Sequence, residues 1–151
     1  AFAYEVAVIF DHGARAMMQE GKDEFYYVTA MNENYAHPSM PEGVEGDIIK
    51  GLYRVEARAP QESSARVRLL GSGAIFPQVL EAARRLDADW GVASEVWSAT
   101  SFSELARDAR EVERRNRLNP VSPQETSHVS RCLPGTSPSL PQQIVCAPIR
   151  N

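Results

Sequence analysis

Apolar positions recur at helical spacing at Val6, Ile9, Phe10, Gly13 and Met17, which predicts an amphipathic helix over residues 3 to 20. Gly21 stands where such a helix ends. A polar turn then gives way to Phe25-Tyr26-Tyr27-Val28-Thr29-Ala30, whose aromatic and β-branched content predicts a buried strand over residues 25 to 30. Met31-Asn32-Glu33-Asn34-Tyr35-Ala36-His37-Pro38-Ser39-Met40-Pro41-Glu42-Gly43 breaks the pattern, because two prolines and a glycine stop any regular element. Val44 to Lys50 reads as a short helix between two glycines, and Gly51 to Ala57 alternates as a strand does. Pro60 to Ala65 is a polar connection.

The pattern then becomes more regular. Val67 to Leu70 reads as a strand and Gly71-Ser72-Gly73 as a tight turn. Ile75, Val79, Ala82, Ala83 and Leu86 form one apolar helical face, with Pro77 in the first turn, where its missing N–H costs little. Val92 to Ala99 is the next strand. Ser101 and Glu104 have the spacing of a capping box. In the helix they open, Phe102, Leu105, Ala109 and Val112 share a face, and Glu111 can pair with Arg114 and Arg115. Strand, helix, strand, helix at this spacing predicts an α/β unit with parallel strands and a right-handed crossover.

Composition narrows the function classes. The 151 residues are 43% hydrophobic with formal net charge −4, so there is no basic footprint for nucleic acid or an anionic membrane surface. No apolar run approaches the roughly 20 residues that span a bilayer. Cys132 and Cys146 lack metal-site spacing and read as two unrelated thiols in a reducing compartment, although a disulfide would also be open to them. From Val129 to Asn151 there is no acidic residue and four of the ten prolines occur, so composition alone reads a disordered tail.

Several runs together carry a resemblance. Tyr4-Glu5-Val6-Ala7-Val8-Ile9, the stretch Met31 to Gly43, Leu69-Leu70-Gly71-Ser72-Gly73, and Trp97-Ser98-Ala99-Thr100-Ser101-Phe102-Ser103-Glu104-Leu105 resemble, in that order, the homodimeric bacterial-type pyruvate dehydrogenase. That family is the decarboxylating, thiamine-diphosphate-dependent first component of its complex. The resemblance covers residues 1 to 136. It implies an internal fragment: residues 1–40 as the end of the pyrimidine-binding middle domain, 41–65 as junction and linker, and 66–136 as the first half of a transketolase-type, Rossmann-like C-terminal domain. It also implies a cytoplasmic homodimer that uses thiamine diphosphate and Mg²⁺, acts on pyruvate, and passes an acetyl unit to the lipoyl-bearing dihydrolipoyl acetyltransferase component. At Arg115 and Asn119 the family pattern leads one to expect Trp and His. That departure puts the packing of the helix end in doubt.

The resemblance gives the last residues a second reading. Family members continue with a run similar to Pro-Val-Val-Ala-Ala-Thr-Asp-Tyr-Met-Arg. A version with Cys for Tyr, read one base out of step, can give Pro-Ser-Leu-Pro-Gln-Gln-Ile-Val-Cys, which is Pro138 to Cys146. Residues 137–151 are therefore expected to be an out-of-frame or disordered tail. Coding DNA that cannot be realigned by one base near Ser137 rejects the frameshift.

Candidate chemistry is sparse. No Gly-Asp-Gly metal-diphosphate loop exists, so no catalytic, cofactor-binding or metal-ligating residue is assigned, and the fragment by itself is expected to be inactive. Gly71-Ser72-Gly73 lacks the third glycine of a dinucleotide fingerprint, since Phe76 stands there; a packing turn is the better reading. A small nucleotide-binding protein rests on that turn alone. Asn32, Glu33 and Asn34 read first as loop residues tying off backbone groups. By analogy of position with transketolase-type enzymes, they also read as lying near the substrate approach. His37 has the chemistry of a proton-transfer group but reads as a surface or interface histidine. His12 and His128 read as solvated. The rival class is a non-catalytic interaction module, or decayed paralogue, docking on the intact enzyme.

Overall fold

The computed structural model describes residues 2–30, 34, 36–58, 66–122 and 124–134. The elements run α1 (Ala3–Met18), α2 (Glu45–Ile49), β1 (Leu52–Arg58), β2 (Arg66–Gly71), a 3₁₀ turn (Gly73–Ile75), α3 (Phe76–Trp90), β3 (Ala93–Ala99), α4 (Phe102–Leu118) and α5 (His128–Cys132). The fold is α/β. Its three strands are ordered β1-β3-β2. β2 and β3 are parallel, as the strand–helix–strand spacing predicts, while β1 is antiparallel to β3 with a slip in register between Arg54 and Glu56.

Alternation along β3 explains the layers. It lies between two partners and six of its seven residues are buried. Val96 points to one face and joins Leu69, Phe76, Ala83 and Phe2 in the core beneath α3. Its neighbour Trp97 points to the other face and packs with Leu52, Ala99 and Leu133, flanked by Leu105 and Val129 of α4 and α5.

Local chemistry sets the helix boundaries. Gly21 has φ 63°, and Lys22 N–H closes on Ala16 O to end α1. Gly91 (φ 58°) ends α3, which Pro77 opens. Ser101 Oγ accepts from Glu104 N at 3.2 Å, one half of the expected capping box; the Glu104 carboxylate meets Arg107 instead. Glu111 pairs with Arg114 and Arg115 as predicted, and Arg115 also meets Glu125 at 2.9 Å.

Several expectations are corrected. Residues 25–30 form no strand, and Phe25 and Tyr27 are 89% and 86% exposed. An extended segment needs a neighbour for its N–H and C=O groups, and among the described residues the sheet consists of β1, β2 and β3 alone. The apolar stripe of α1 is not buried as a unit: Phe10 and Met17 are exposed, while Glu5, Gly13 and Ala16 are covered. Ile75, in the 3₁₀ turn before α3, and Ala82 face outward, and the buried face of α3 runs through Phe76 and Ala83, flanked by Val79, Leu80 and Leu86. In α4, Phe102 is exposed while Val112 is buried.

The tail reading also fails at its start. Residues 128–132 are helical and Leu133 is buried, because His128 and Leu133 find partners on β1 and β3 that composition does not reveal. The proposed frameshift region and Cys146 lie outside the described residues.

Candidate functional site

A cleft of about 640 Å³ opens at the carboxyl ends of β2 and β3, between α1, residues 23–29 and the start of α4. In open α/β sheets this is the position where ligands bind, because loops there are free to carry polar groups. The chain builds its rim from short side chains. Ser72 Oγ donates to Ala99 O at 2.7 Å, and Thr100 Oγ1 donates to Ile48 O at 2.7 Å. The first hydroxyl thus joins the ends of β2 and β3, and the second ties the end of β3 to α2. A Cβ on Gly71 would stand 2.8 Å from Phe76 Cδ2 and 2.9 Å from Val79 Cγ2, which makes this turn the point where α3 closes on the sheet. The glycine turn is a packing turn.

Glu5 lines the floor of the cleft and is 2% exposed. A buried carboxylate is tolerated when donors satisfy it, and three do. Phe2 N–H donates to Oε2 at 2.7 Å, Tyr53 OH donates to Oε1 at 2.8 Å, and Ser98 Oγ donates to Oε1 at 2.6 Å. The Tyr53 oxygen lies 2.7 Å from Tyr4 OH. Since the Tyr53 proton goes to Glu5, the Tyr4 hydroxyl is the donor in that contact. Burial first, then the Tyr4 contact and the Glu5 charge, push the Tyr53 phenol far above its ordinary range. It therefore remains a donor throughout the physiological range. Burial also raises the Tyr4 phenol. The network fastens α1 to β1 and β3 through one carboxylate.

Sequence reasoning missed Glu5, Tyr4, Tyr53 and Ser98. A signal was present: Glu5 is the one charge in the run Tyr4 to Ile9, and it shares its helical face with the buried Gly13 and Ala16.

The predicted residues disperse. Asn34 is exposed and belongs to no regular element; Asn32 and Glu33 lie outside the described residues. His37 is exposed, and its Nδ1 accepts from Ala3 N–H at 3.1 Å while its ring meets Phe2 edge-on at 5.8 Å. His12 is exposed, with its ring 6.2 Å from Tyr26.

His128 is the clear reversal. It is 4% exposed, its Nε2 donates to Leu52 O at 2.8 Å, and Asp108 holds its backbone N–H at 2.7 Å. Cys132 is a free thiol whose Sγ lies 3.5 Å from that Nε2. Burial first, then the Asp47 charge, raise the Cys132 thiol above its usual range, which leaves it poorly nucleophilic.

Among the described residues, no three His, Cys, Asp or Glu side chains come together to hold a metal ion. No helix among them is long and apolar enough to cross a membrane.

Residues 1–38 match the family model of the pyruvate dehydrogenase E1 component middle domain, and residues 51–141 match that of the transketolase-like C-terminal domain. The chain belongs to the pyruvate dehydrogenase E1 family. It is 49% identical over 132 residues to the pyruvate dehydrogenase E1 component of Cupriavidus necator, an alignment that covers 87% of this chain and 15% of the relative. Identity to the Pseudomonas aeruginosa protein of that name is 50% over 134 residues, covering 89% and 15%. For that of Escherichia coli K12 it is 46% over 134 residues, covering 88% and 15%. The chain thus spans about 15% of the length of these curated relatives. Identities of this level within an enzyme family do not favour the separate interaction module. The Glu5 network joins α1, inside the first match, to β1 and β3, inside the second.

Proposed function

We propose that this chain is the middle-to-C-terminal junction of a pyruvate dehydrogenase of the E1 type. Residues 1–40 supply the end of the middle domain, 41–65 the connection and 66–136 the first half of the C-terminal domain. The whole enzyme, a cytoplasmic homodimer, decarboxylates pyruvate and transfers the acetyl unit to the lipoyl group of its dihydrolipoyl acetyltransferase partner. The observation that carries this reading is the pair of adjacent matches, residues 1–38 to the middle domain and 51–141 to the C-terminal domain, which the buried Glu5 carboxylate bridges.

The enzyme class implies thiamine diphosphate with Mg²⁺. The residues described here do not fit that group. No set of three ligands converges among them, and both oxygens of Glu5, the buried carboxylate in the cleft, are already taken by protein donors. The chain's share is therefore architectural: it sets the angle between two domains and shapes the cleft at their seam.

The test has two arms. The purified chain, given pyruvate, thiamine diphosphate and Mg²⁺, is expected to release no carbon dioxide. Grafted in place of the matching segment of the Cupriavidus necator relative, residues 1–134 are expected to support decarboxylation. Turnover by the chain alone would contradict the architectural role, and a folded but inactive graft would contradict the junction reading.

A further inference from the structure

The face of the sheet that carries Trp97 holds a second recess, of about 770 Å³, which runs from the loop of residues 41–44 across the strands to α5. Trp97 lines it and is 8% exposed, and its indole Nε1 is buried without a hydrogen-bond acceptor. An indole nitrogen only donates. A buried donor without an acceptor is rare in a folded protein and marks a place where a water, an ion or a ligand completes the structure.

The groups around that donor are donors too. Arg54 is the β1 register partner of Trp97, so the two side chains stand side by side on one face. Arg131 reaches the same recess from α5. Both arginines are exposed, and neither has a carboxylate partner among the described residues. Arg68, the third cation of the recess, is already taken: its Nε donates to Glu95 at 2.9 Å and its Nη1 to Pro134 O at 2.9 Å. Glu56 is likewise held by Arg58. The acids of the recess that lack an ion pair are Glu42 and Asp47, on the wall formed by the loop and α2.

We propose that this recess binds a small monocarboxylate with a short apolar body, whose carboxylate accepts the Trp97 indole N–H and pairs with the guanidinium groups of Arg54 and Arg131. An ionised carboxylate accepts without donating, which matches three groups that donate without accepting. A guanidinium also meets it through two parallel bonds. Glu42 and Asp47 oppose a second negative charge, so dicarboxylates and phosphate fit less well. Pro41, Val44 and Ala57 offer the apolar body a surface to cover.

The inference does not rest on the proposed enzyme activity. It is tested on the whole chain with 3-methylbutanoate as the probe, read through the indole N–H signals of a nitrogen-15 spectrum. The chain has two tryptophans, and Trp90, 77% exposed at the end of α3, serves as the internal control. The expected result is a saturable downfield shift of the Trp97 indole proton with a dissociation constant on the order of 1 mM, while Trp90 stays in place. Arg54→Gln and Arg131→Gln change exposed side chains and should each weaken binding about tenfold, the size of one lost charge-assisted hydrogen bond. The uncharged 3-methylbutanamide, succinate and inorganic phosphate should each bind roughly tenfold more weakly than the probe. A Trp97 signal that does not move up to about 20 mM probe overturns the proposal from the unmodified chain alone. Binding of phosphate as strong as that of the probe, or full binding by both arginine variants, overturns it as well.

Discussion

Glu5→Ala will lower the unfolding free energy of the chain by about 5 kcal/mol, near the low end expected when three hydrogen bonds to a charged group, at roughly 1.5–3 kcal/mol each, are lost together. The substitution also strands the Ser98 hydroxyl and the Phe2 N–H and leaves the Tyr53 hydroxyl only Tyr4, and all three groups are buried. Whole domains are stable by only about 5–15 kcal/mol, so this one side chain accounts for a large fraction. Glu5→Gln should cost about half as much, because an amide oxygen can still accept from Tyr53 and Ser98 while its NH₂ faces the Phe2 N–H. Ser98→Ala, which removes one donor and leaves the carboxylate two others, should cost about 1 kcal/mol. Urea unfolding followed by near-UV circular dichroism reads all three. If Glu5→Ala came within about 1 kcal/mol of the parent, buried donors of this kind would not be holding α1 to the sheet.

The second large effect is expected at Gly51. Its φ is +96°, a backbone conformation that side chains oppose, and a Cβ there would stand 2.6 Å from Ser101 O and 3.2 Å from Leu105 Cγ. The first obstacle is backbone and cannot swing aside. Gly51 O also accepts from Thr100 N at 2.9 Å and Ser101 N at 3.3 Å, so the residue is pinned against the end of β3 from both sides. Gly51→Ala is expected to cost about 3 kcal/mol, combining strain at positive φ with displacement of the β3–α4 turn. Gly46→Ala is the control. It lies within α2 with nothing within 4 Å of the new methyl, and should stabilise the chain by roughly 0.5–1 kcal/mol through helix propensity. Equal effects at the two glycines in thermal unfolding would remove the steric account of Gly51.

Both residues show where sequence and structure part. Gly51 was visible as a break between a short helix and a strand, but its severity depends on Ser101, fifty residues away. Glu5 was visible as a charge in an apolar run, but its acceptors' partners come from β1 and β3. His128 read as solvated because it neighbours a proline-rich stretch without acidic residues; only the β1 edge supplies the Leu52 carbonyl that makes burial tolerable. The strand expected at residues 25 to 30 failed for the complementary reason. Its composition favours a pleated, half-buried surface, yet a strand exists only beside another strand, and none of the three described lies there.

What the residues determined by themselves is the local order of the chain: α1, α2, β1 and the β2–α3–β3–α4 unit, the glycines and proline that bound them, the parallel pairing of β2 with β3, and family membership through four colinear runs. Periodicity and capping act within a few residues, so they can be read without coordinates. What only the tertiary structure decided is which side chains meet across the fold. A carboxylate on α1 became the tie between two family segments, a loop histidine came to accept from the opening helix, and the first turn after Ser127 became core, because each depends on donors and acceptors that folding brings together from distant parts of the chain.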